Sequence, residues 1–292
     1  MNTGGHPRDL AVVDAEFAFT WSDFRQIAEF VHSEAGIVLA ETKANLVYTR
    51  LAKRLRAIGL RNFREYCALI TSPDGADERQ VMIAAMTTNV TRFFREAHHF
   101  EYLRAQAFPR LLETAQRGSR VRIWSAGCSS GEEAYSIALV ALELAPEAAA
   151  LDFRILATDI DPEMLQRGKS GIYPAHQLNE VPPDLRKRWF IPLHHRDEMA
   201  FEASPELRAL VRFKELNLLH EWPMTGRFDV VFCRNVMIYF DDATQNEVWE
   251  RFAGVLPLGG ILCVGHSERI STAGHPFDLV GQTVYRRRGA SR

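Results

Sequence analysis

The sequence predicts an α/β protein: a small all-helical amino-terminal domain followed by a doubly wound, mostly parallel sheet. Three observations carry this. Up to about residue 88 the apolar residues recur at helical spacing and no strand pattern intervenes. Beyond residue 120, short apolar runs alternate with helical segments, which in one sheet implies parallel strands. Finally, Ile123-Trp-Ser-Ala-Gly-Cys-Ser-Ser-Gly-Glu-Glu-Ala-Tyr-Ser-Ile137 reads as a buried strand that breaks at a small-residue turn and restarts as a helix.

Taken in order, residues 1–16 form a polar tail expected to be mobile. Ser22 is placed to cap a first helix carrying Phe24, Ile27, Ala28, Phe30 and Val31, which Gly36 closes. Further helices are expected over 41–57, 62–71 and 77–88, with 92–114 leading into the α/β part. Candidate strands follow at 121–126, 153–158, 211–216, 228–234, 260–265 and 283–286, with helices over 132–145, 162–167 and 242–256. The stretch 172–210 is too long for an ordinary connection in an α/β unit, where about 2 to 6 residues is usual, and reads as an insertion.

Composition narrows the functional classes. With 47% hydrophobic and 25% charged residues the chain is globular in type and long enough for one large core and a smaller domain. It contains no apolar run of spanning length, and its first residues lack a basic patch followed by an apolar segment, so neither membrane insertion nor a secretory signal is expected and the expected location is the cytoplasm. Cys67, Cys128, Cys233 and Cys263 form no C-x-x-C pair and suit reduced, buried thiols. The pairs His98-His99 and His194-His195 lack zinc-ligand spacing, so no metal is expected.

The turn Gly127-Cys-Ser-Ser-Gly131 has the chemistry of a nucleotide site. Its small residues let a ligand approach the backbone, and the helix start that follows leaves amide N–H groups unpaired and a partial positive charge. Asp159, at the carboxyl end of the second strand, occupies the position where doubly wound folds hold a ribose diol. A nicotinamide dinucleotide is disfavoured: the glycines do not make G-x-G-x-x-G, and Asp159 lies 28 residues beyond Gly131 rather than about 20. Asp161 has a separate role as the cap of the helix begun by Asp-Pro-Glu.

Five ordered blocks carry a family resemblance: Thr-Thr-Asn-Val-Thr-Arg-Phe-Phe-Arg-Glu (87–96), Trp-Ser-Ala-Gly-Cys-Ser-Ser-Gly-Glu-Glu (124–133), Ala-Thr-Asp-Ile-Asp (157–161), Phe-Cys-Arg-Asn-Val-Met-Ile-Tyr-Phe (232–240) and Gly-His-Ser-Glu (265–268). Together they resemble the chemotaxis receptor glutamate O-methyltransferases. The resemblance implies a helical substrate-recognition domain over 17–90 and a methyltransferase domain over 91–292, with a small antiparallel β insertion at 172–210. It further implies S-adenosylmethionine as methyl donor, S-adenosylhomocysteine as product, and the cytoplasmic methylation region of chemoreceptors as partner. Carried onto this chain, the cofactor-binding residues are Asn89, Thr91, Arg95, Glu133, Asp159, Asn217, Leu218, Arg234 and Asn235, and the catalytic ones Arg95 and Tyr239.

Residue chemistry supports several of these roles. Asp159 can accept both ribose hydroxyls, Leu218 offers an apolar face to adenine, and Glu133 suits the cofactor's ammonium. Glu132 and Glu133 differ by about 100° around a helix, so one of them faces the site. Arg95 has a competing reading as a salt-bridge partner of Glu96 or Glu101, and Tyr239 as a core aromatic. Between Lys43 and Arg64 lie seven Lys or Arg residues and no acid; Arg50, Lys53 and Arg54 share a helix face, which is either a solvated surface or a dock for an acidic receptor helix. Nucleic acid is the alternative partner for such a patch, but an RNA methyltransferase would need a basic, aromatic-bearing cleft that the pI near 6.6 does not favour, and no nucleic acid is expected; a cofactor-binding protein without turnover is the non-enzymatic alternative. A monomer is expected. Some relatives grip a receptor's tail peptide through a glycine-bearing loop of the β insertion. Here the stretch 191–199 has no glycine and Pro192 lacks a donor, so tail binding is not expected.

Overall fold

The computed structural model describes residues 11–13, 16–195 and 198–289, which fall into two compact units. The helical unit runs to Thr88 and includes Tyr239–Asp241. Its strand β1 (Ala11–Val13) pairs antiparallel with β2 (Phe19–Thr20), so part of the expected tail is ordered into a ribbon. Residues 1–10, 14 and 15 of that tail lie outside the described residues. Helix α1 (Trp21–Ala35) is capped by Thr20 rather than Ser22: Thr20 Oγ1 accepts from the Asp23 amide at 3.2 Å, and Asp23 Oδ2 accepts from the Thr20 amide at 2.9 Å. This reciprocal pair satisfies two donors at once, which a cap at Ser22 would not do. Helices α2 (Ala44–Ile58), α3 (Phe63–Thr71) and α4 (Ala76–Met86) complete the unit around Phe24, Val47, Leu51, Leu55, Phe63 and Tyr66.

In the second unit, α5 (His98–Tyr102) continues through a π-helical stretch into α6 (Phe108–Gln116). The alternation then begins: β3 (Val121–Ala126), α7 (Glu132–Leu144), β4 (Phe153–Asp159) and α8 (Pro162–Ser170). The insertion contributes β5 (Ile172–Pro174), α9 (Pro183–Trp189), β6 (Phe190–His195) and β7 (Glu198–Ala203), and α10 (Pro205–Leu210) leads back to the main sheet. The chain closes with β8 (Val211–Glu215), β9 (Val230–Cys233), α11 (Asp242–Val255), β10 (Ile261–Val264), β11 (Phe277–Gly281) and β12 (Val284–Arg287).

The main sheet has seven strands in the order β11-β12-β10-β9-β3-β4-β8, parallel from β10 to β8, with β12 antiparallel to both its neighbours. Strand β11 was not foreseen; exposed Asp278 and Leu279 break its apolar run, as suits an edge strand. Strands β3, β9 and β10 are almost wholly buried, the near-continuous apolar pattern of parallel strands covered on both faces. Helix α7 is buried on every side from Glu132 to Leu142. Successive strands run outward from β3 through β4 to β8, then restart at β9 beside β3. The strand order therefore reverses between the parallel strands β3 and β9, where open α/β sheets open a crevice beyond their strand ends. The insertion is a three-stranded antiparallel sheet in the order β5-β7-β6, as expected.

Candidate cofactor site

The turn after β3 is built by backbone strain and close approach. Gly127 and Gly131 adopt φ of 77° and 95°, and Ser129 follows them into the left-handed region at 48°. A Cβ on Gly127 would run into Val236, and one on Gly131 would sit 2.9 Å from the Phe213 ring. The Gly127 and Cys128 amides donate to the Thr158 carbonyl at 2.8 and 2.9 Å, and the Ser129 amide donates to Asp159 Oδ2 at 2.7 Å. Asp159 Oδ1 accepts from the Asp161 amide at 3.0 Å. Asp159 is thus fixed at the end of β4, 8% exposed, with its ionisation pushed up to about 6 by burial that these amide bonds only partly offset. Asp161 caps α8 through the Glu163 and Met164 amides, as its sequence context predicts.

Two acids begin α7, and the fold separates their roles. Glu132 bonds the Ser130 hydroxyl at 2.7 Å. Glu133 accepts from Ser125 Oγ at 2.7 Å and from Arg234 Nη1 at 2.9 Å, which puts it on the side of the crevice between β3 and β9. Burial raises the Glu133 pKa and the Arg234 charge opposes it.

Arg234 is the hub of the opposite wall. Its side chain is 2% exposed, pairs with Glu133 and with Glu96 Oε2 at 3.2 Å, donates to the Arg95 carbonyl and lies 5.8 Å from the Phe100 ring centre. Burial works to raise the Glu96 pKa, yet Arg234 and two bonds from His266 hold it down at about 2. Both terminal nitrogens of Arg234 are thus engaged by protein partners while its buried Nε has none, and its visible work is to tie the 95–96 turn to α7. The strand end places Asn235 next, at φ 59°.

The segment 89–96 is stapled to the same turn. Asn89 Nδ2 donates to Asp161 Oδ2 at 2.7 Å, and its carbonyl accepts from Ser129 Oγ at 3.0 Å. Thr91 lies half-buried beyond it. Arg95 makes neither of the salt bridges considered from sequence; its Nη1 donates to the Val90 carbonyl at 2.9 Å. Phe94 and Glu96 have φ of 51° and 58°, so four of the five non-glycine left-handed residues among the described residues (Phe94, Glu96, Ser129 and Asn235) cluster here. Strain of that kind gathers where surrounding structure holds a site in shape. On the far side, the Leu216 amide donates to the Asp159 carbonyl at 3.0 Å and delivers Asn217-Leu218 beside it. Leu218 is buried, and its carbonyl is held by Trp222 Nε1 at 3.1 Å and Arg251 Nη1 at 2.6 Å.

Sequence reasoning missed Glu268 and Arg251 as supports of these loops. Glu268 was legible only as the last letter of Gly-His-Ser-Glu, and Arg251 looked like any helical arginine. The fold also brings donor atoms of Glu96, His98 and His99 within 4.8 Å of one another, which local spacing did not indicate. Arg234 supplies the positive charge there. His99 Nε2 is taken by Thr283 at 2.9 Å, and burial with the Arg234 charge drops the His99 pKa to about 3.

Of the three residues proposed to dock the receptor, Arg50 and Arg54 are bound within the helical unit. Arg54 pairs with Glu78 through two bonds of 3.0 and 2.7 Å, and Arg50 Nη1 donates to the Ala85 and Thr87 carbonyls at 2.9 and 2.8 Å, closing the end of α4. Lys53 is exposed. Tyr239, half-buried, belongs to the helical unit, its carbonyl accepting from the Val38 amide at 2.8 Å. All four cysteines are buried and free.

The site's donor set fits S-adenosylmethionine. Each Asp159 oxygen takes one amide, leaving lone pairs for two ribose hydroxyls, and the buried Glu133 offers negative charge at the helix start. Residues 89–286 match the family model for the CheR methyltransferase SAM binding domain, and residues 22–87 that for its all-alpha domain. A probable chemotaxis protein methyltransferase of Rhizobium etli is 53% identical over 257 residues, covering 88% of this chain and 96% of the relative. Chemotaxis protein methyltransferase 2 of Pseudomonas aeruginosa is 43% identical (92% and 94% covered), and the chemotaxis protein methyltransferase of Escherichia coli 41% identical (94% of each). With a site of this chemistry at the reversal of a doubly wound sheet, and both family models matched in order, the chain belongs to the CheR methyltransferase family.

Proposed function

We propose that this protein methylates glutamate side chains in the cytoplasmic methylation region of chemoreceptors, using S-adenosylmethionine and releasing S-adenosylhomocysteine. The observation that carries the reading is Asp159, a buried carboxylate held by the turn 127–131 in a segment that matches a SAM-binding family model. When bound, the cofactor supplies an electrophilic methyl group. In this reading Asp159 takes the ribose, Glu133 the ammonium, Asn217-Leu218 the adenine, and Asn89, Thr91, Arg95, Arg234 and Asn235 the remaining wall. The acceptor needs no base: a glutamate carboxylate, with an ordinary pKa of about 4.3, is already ionised near neutral pH. Arg95 and Tyr239 orient that carboxylate in line with the methyl group, and alignment with exclusion of water provides most of the acceleration.

Receptor docking falls to the exposed part of the basic helix α2, where Lys53 has no partner among the described residues, while Arg50 and Arg54 hold its framework. In this reading the protein is a cytoplasmic monomer, and its near-neutral charge disfavours nucleic acid as a partner; among the described residues no helix is long and apolar enough to cross a membrane. Isothermal titration with S-adenosylhomocysteine and with NAD tests the cofactor half of this reading. Binding of the first alone is expected; binding of NAD alone would refute it.

A further inference from the structure

Beyond the residues that face the cofactor, one buried carboxylate organises the wall they stand on. Glu268 is 4% exposed and accepts four backbone amides: Asn235 at 2.9 Å, Val236 at 2.8 Å, Met237 at 2.8 Å and Gly265 at 2.5 Å. Three of these are consecutive, so the chain after β9 wraps its N–H groups around one anion, as a backbone nest wraps a phosphate. The wrap requires Asn235 at φ 59°, a conformation a non-glycine residue keeps only when its surroundings impose it. Gly265 permits the approach, because a Cβ there would lie 2.6 Å from Asn235 Nδ2 and 2.8 Å from Glu268 Oε2.

The loop so fixed has two outputs toward the site. Arg234, at its start, holds Glu133 and the Arg95 carbonyl, and Val236 fills the space that Gly127 leaves open. We infer that Glu268 is a positioning residue for cofactor binding: its carboxylate sets the loop 234–237, and the loop sets Glu133 and the turn 127–131. The inference rests on the cofactor reading above. Glu268 itself need not touch the ligand. A glutamine of the same shape cannot replace it, since the amide nitrogen would face backbone donors instead of accepting from them.

The test is Glu268→Gln beside Gly265→Ala in the full chain, each measured for thermal midpoint, affinity for S-adenosylhomocysteine, and KM for cofactor and for receptor fragment separately. Glu268→Gln is expected to fold, to weaken S-adenosylhomocysteine about tenfold or more, and to raise the cofactor KM in step while leaving the receptor KM unchanged. Gly265→Ala, which pushes the same loop while keeping the carboxylate, should show the same split. A folded Glu268→Gln protein with wild-type cofactor affinity overturns the inference, as does an equal rise in both KM values. If Glu268→Gln does not fold, Gly265→Ala decides, and wild-type cofactor affinity there overturns it. A wild-type protein that fails to bind S-adenosylhomocysteine would instead strike down the cofactor reading, and this one with it.

Discussion

At the scale of single residues, Asp159 separates ligand chemistry from structural chemistry. Its carboxylate holds two amides of its own fold, yet burial raises its pKa to about 6, so the fold alone leaves it under-compensated. A folded-state pKa above the ordinary carboxylate value means that ionisation costs stability as pH rises from about 4 through 6; two ribose hydroxyls would stabilise the ionised form. Affinity for S-adenosylhomocysteine should therefore fall below pH 6 by up to about tenfold per unit, and Asp159→Ala should weaken binding by about 1.5 to 3 kcal/mol at neutral pH. Calorimetry across pH 5 to 8 checks both, and a flat profile would free Asp159 of the role. Arg54 gives the contrasting case. Its partner Glu78 is 9% exposed at the side chain, so Arg54→Glu would leave two facing acids and should destabilise the helical unit by about 3 kcal/mol, read by thermal unfolding. Lys53→Glu should leave stability unchanged and raise the receptor KM. If Lys53→Glu matched the wild type with receptor, α2 would be a solvated face.

At the scale of elements, the turn between β3 and α7 was legible because its chemistry is local. Glycines, small residues and the following acids announce a strand-to-helix break whatever surrounds them. The structure adds the reason Gly127 admits no substitute: φ of 77° and Val236 pressed against it. Gly127→Ala should abolish cofactor binding, with circular dichroism showing that the helices remain; full affinity in that variant would mean the turn tolerates displacement. What sequence could not show was long-range. The partners of Arg234, the three consecutive donors 235–237 to Glu268 and the hold of Arg251 on the 218–220 turn join residues some 30 to 140 positions apart, and no local pattern encodes them. The Thr20 cap was misplaced by two residues because Ser22 is an equally good capping type; the Asp23 side chain decides between them. In the insertion, among the described residues β6 pairs on one side only, with β7, and Pro192 lies on it without an amide to donate. Residues 196 and 197 lie outside the described residues. A receptor tail peptide is expected not to bind, and micromolar binding abolished by changes in 191–199 would reverse that expectation.

At the scale of the whole molecule, the SAM-binding family model covers residues 89–286, and the proposed site lies there beyond the strand ends flanking the β3/β9 switch in strand order. The proposed division of labour gives cofactor capture to the second unit and receptor contact to the helical one, with Tyr239 counted in the latter. Tyr239→Phe should accordingly lower turnover while leaving S-adenosylhomocysteine affinity intact, which steady-state kinetics and calorimetry on one preparation would separate. The central claim is methyl transfer to a receptor carboxylate, and its most direct test is incubation with methyl-labelled S-adenosylmethionine together with a chemoreceptor cytoplasmic fragment, RNA being the parallel substrate. The account predicts label on the receptor fragment that mild base releases as methanol, the signature of a glutamate methyl ester, and none on RNA. Label on RNA, base-stable label on the receptor, or no transfer by protein that binds the cofactor would contradict it.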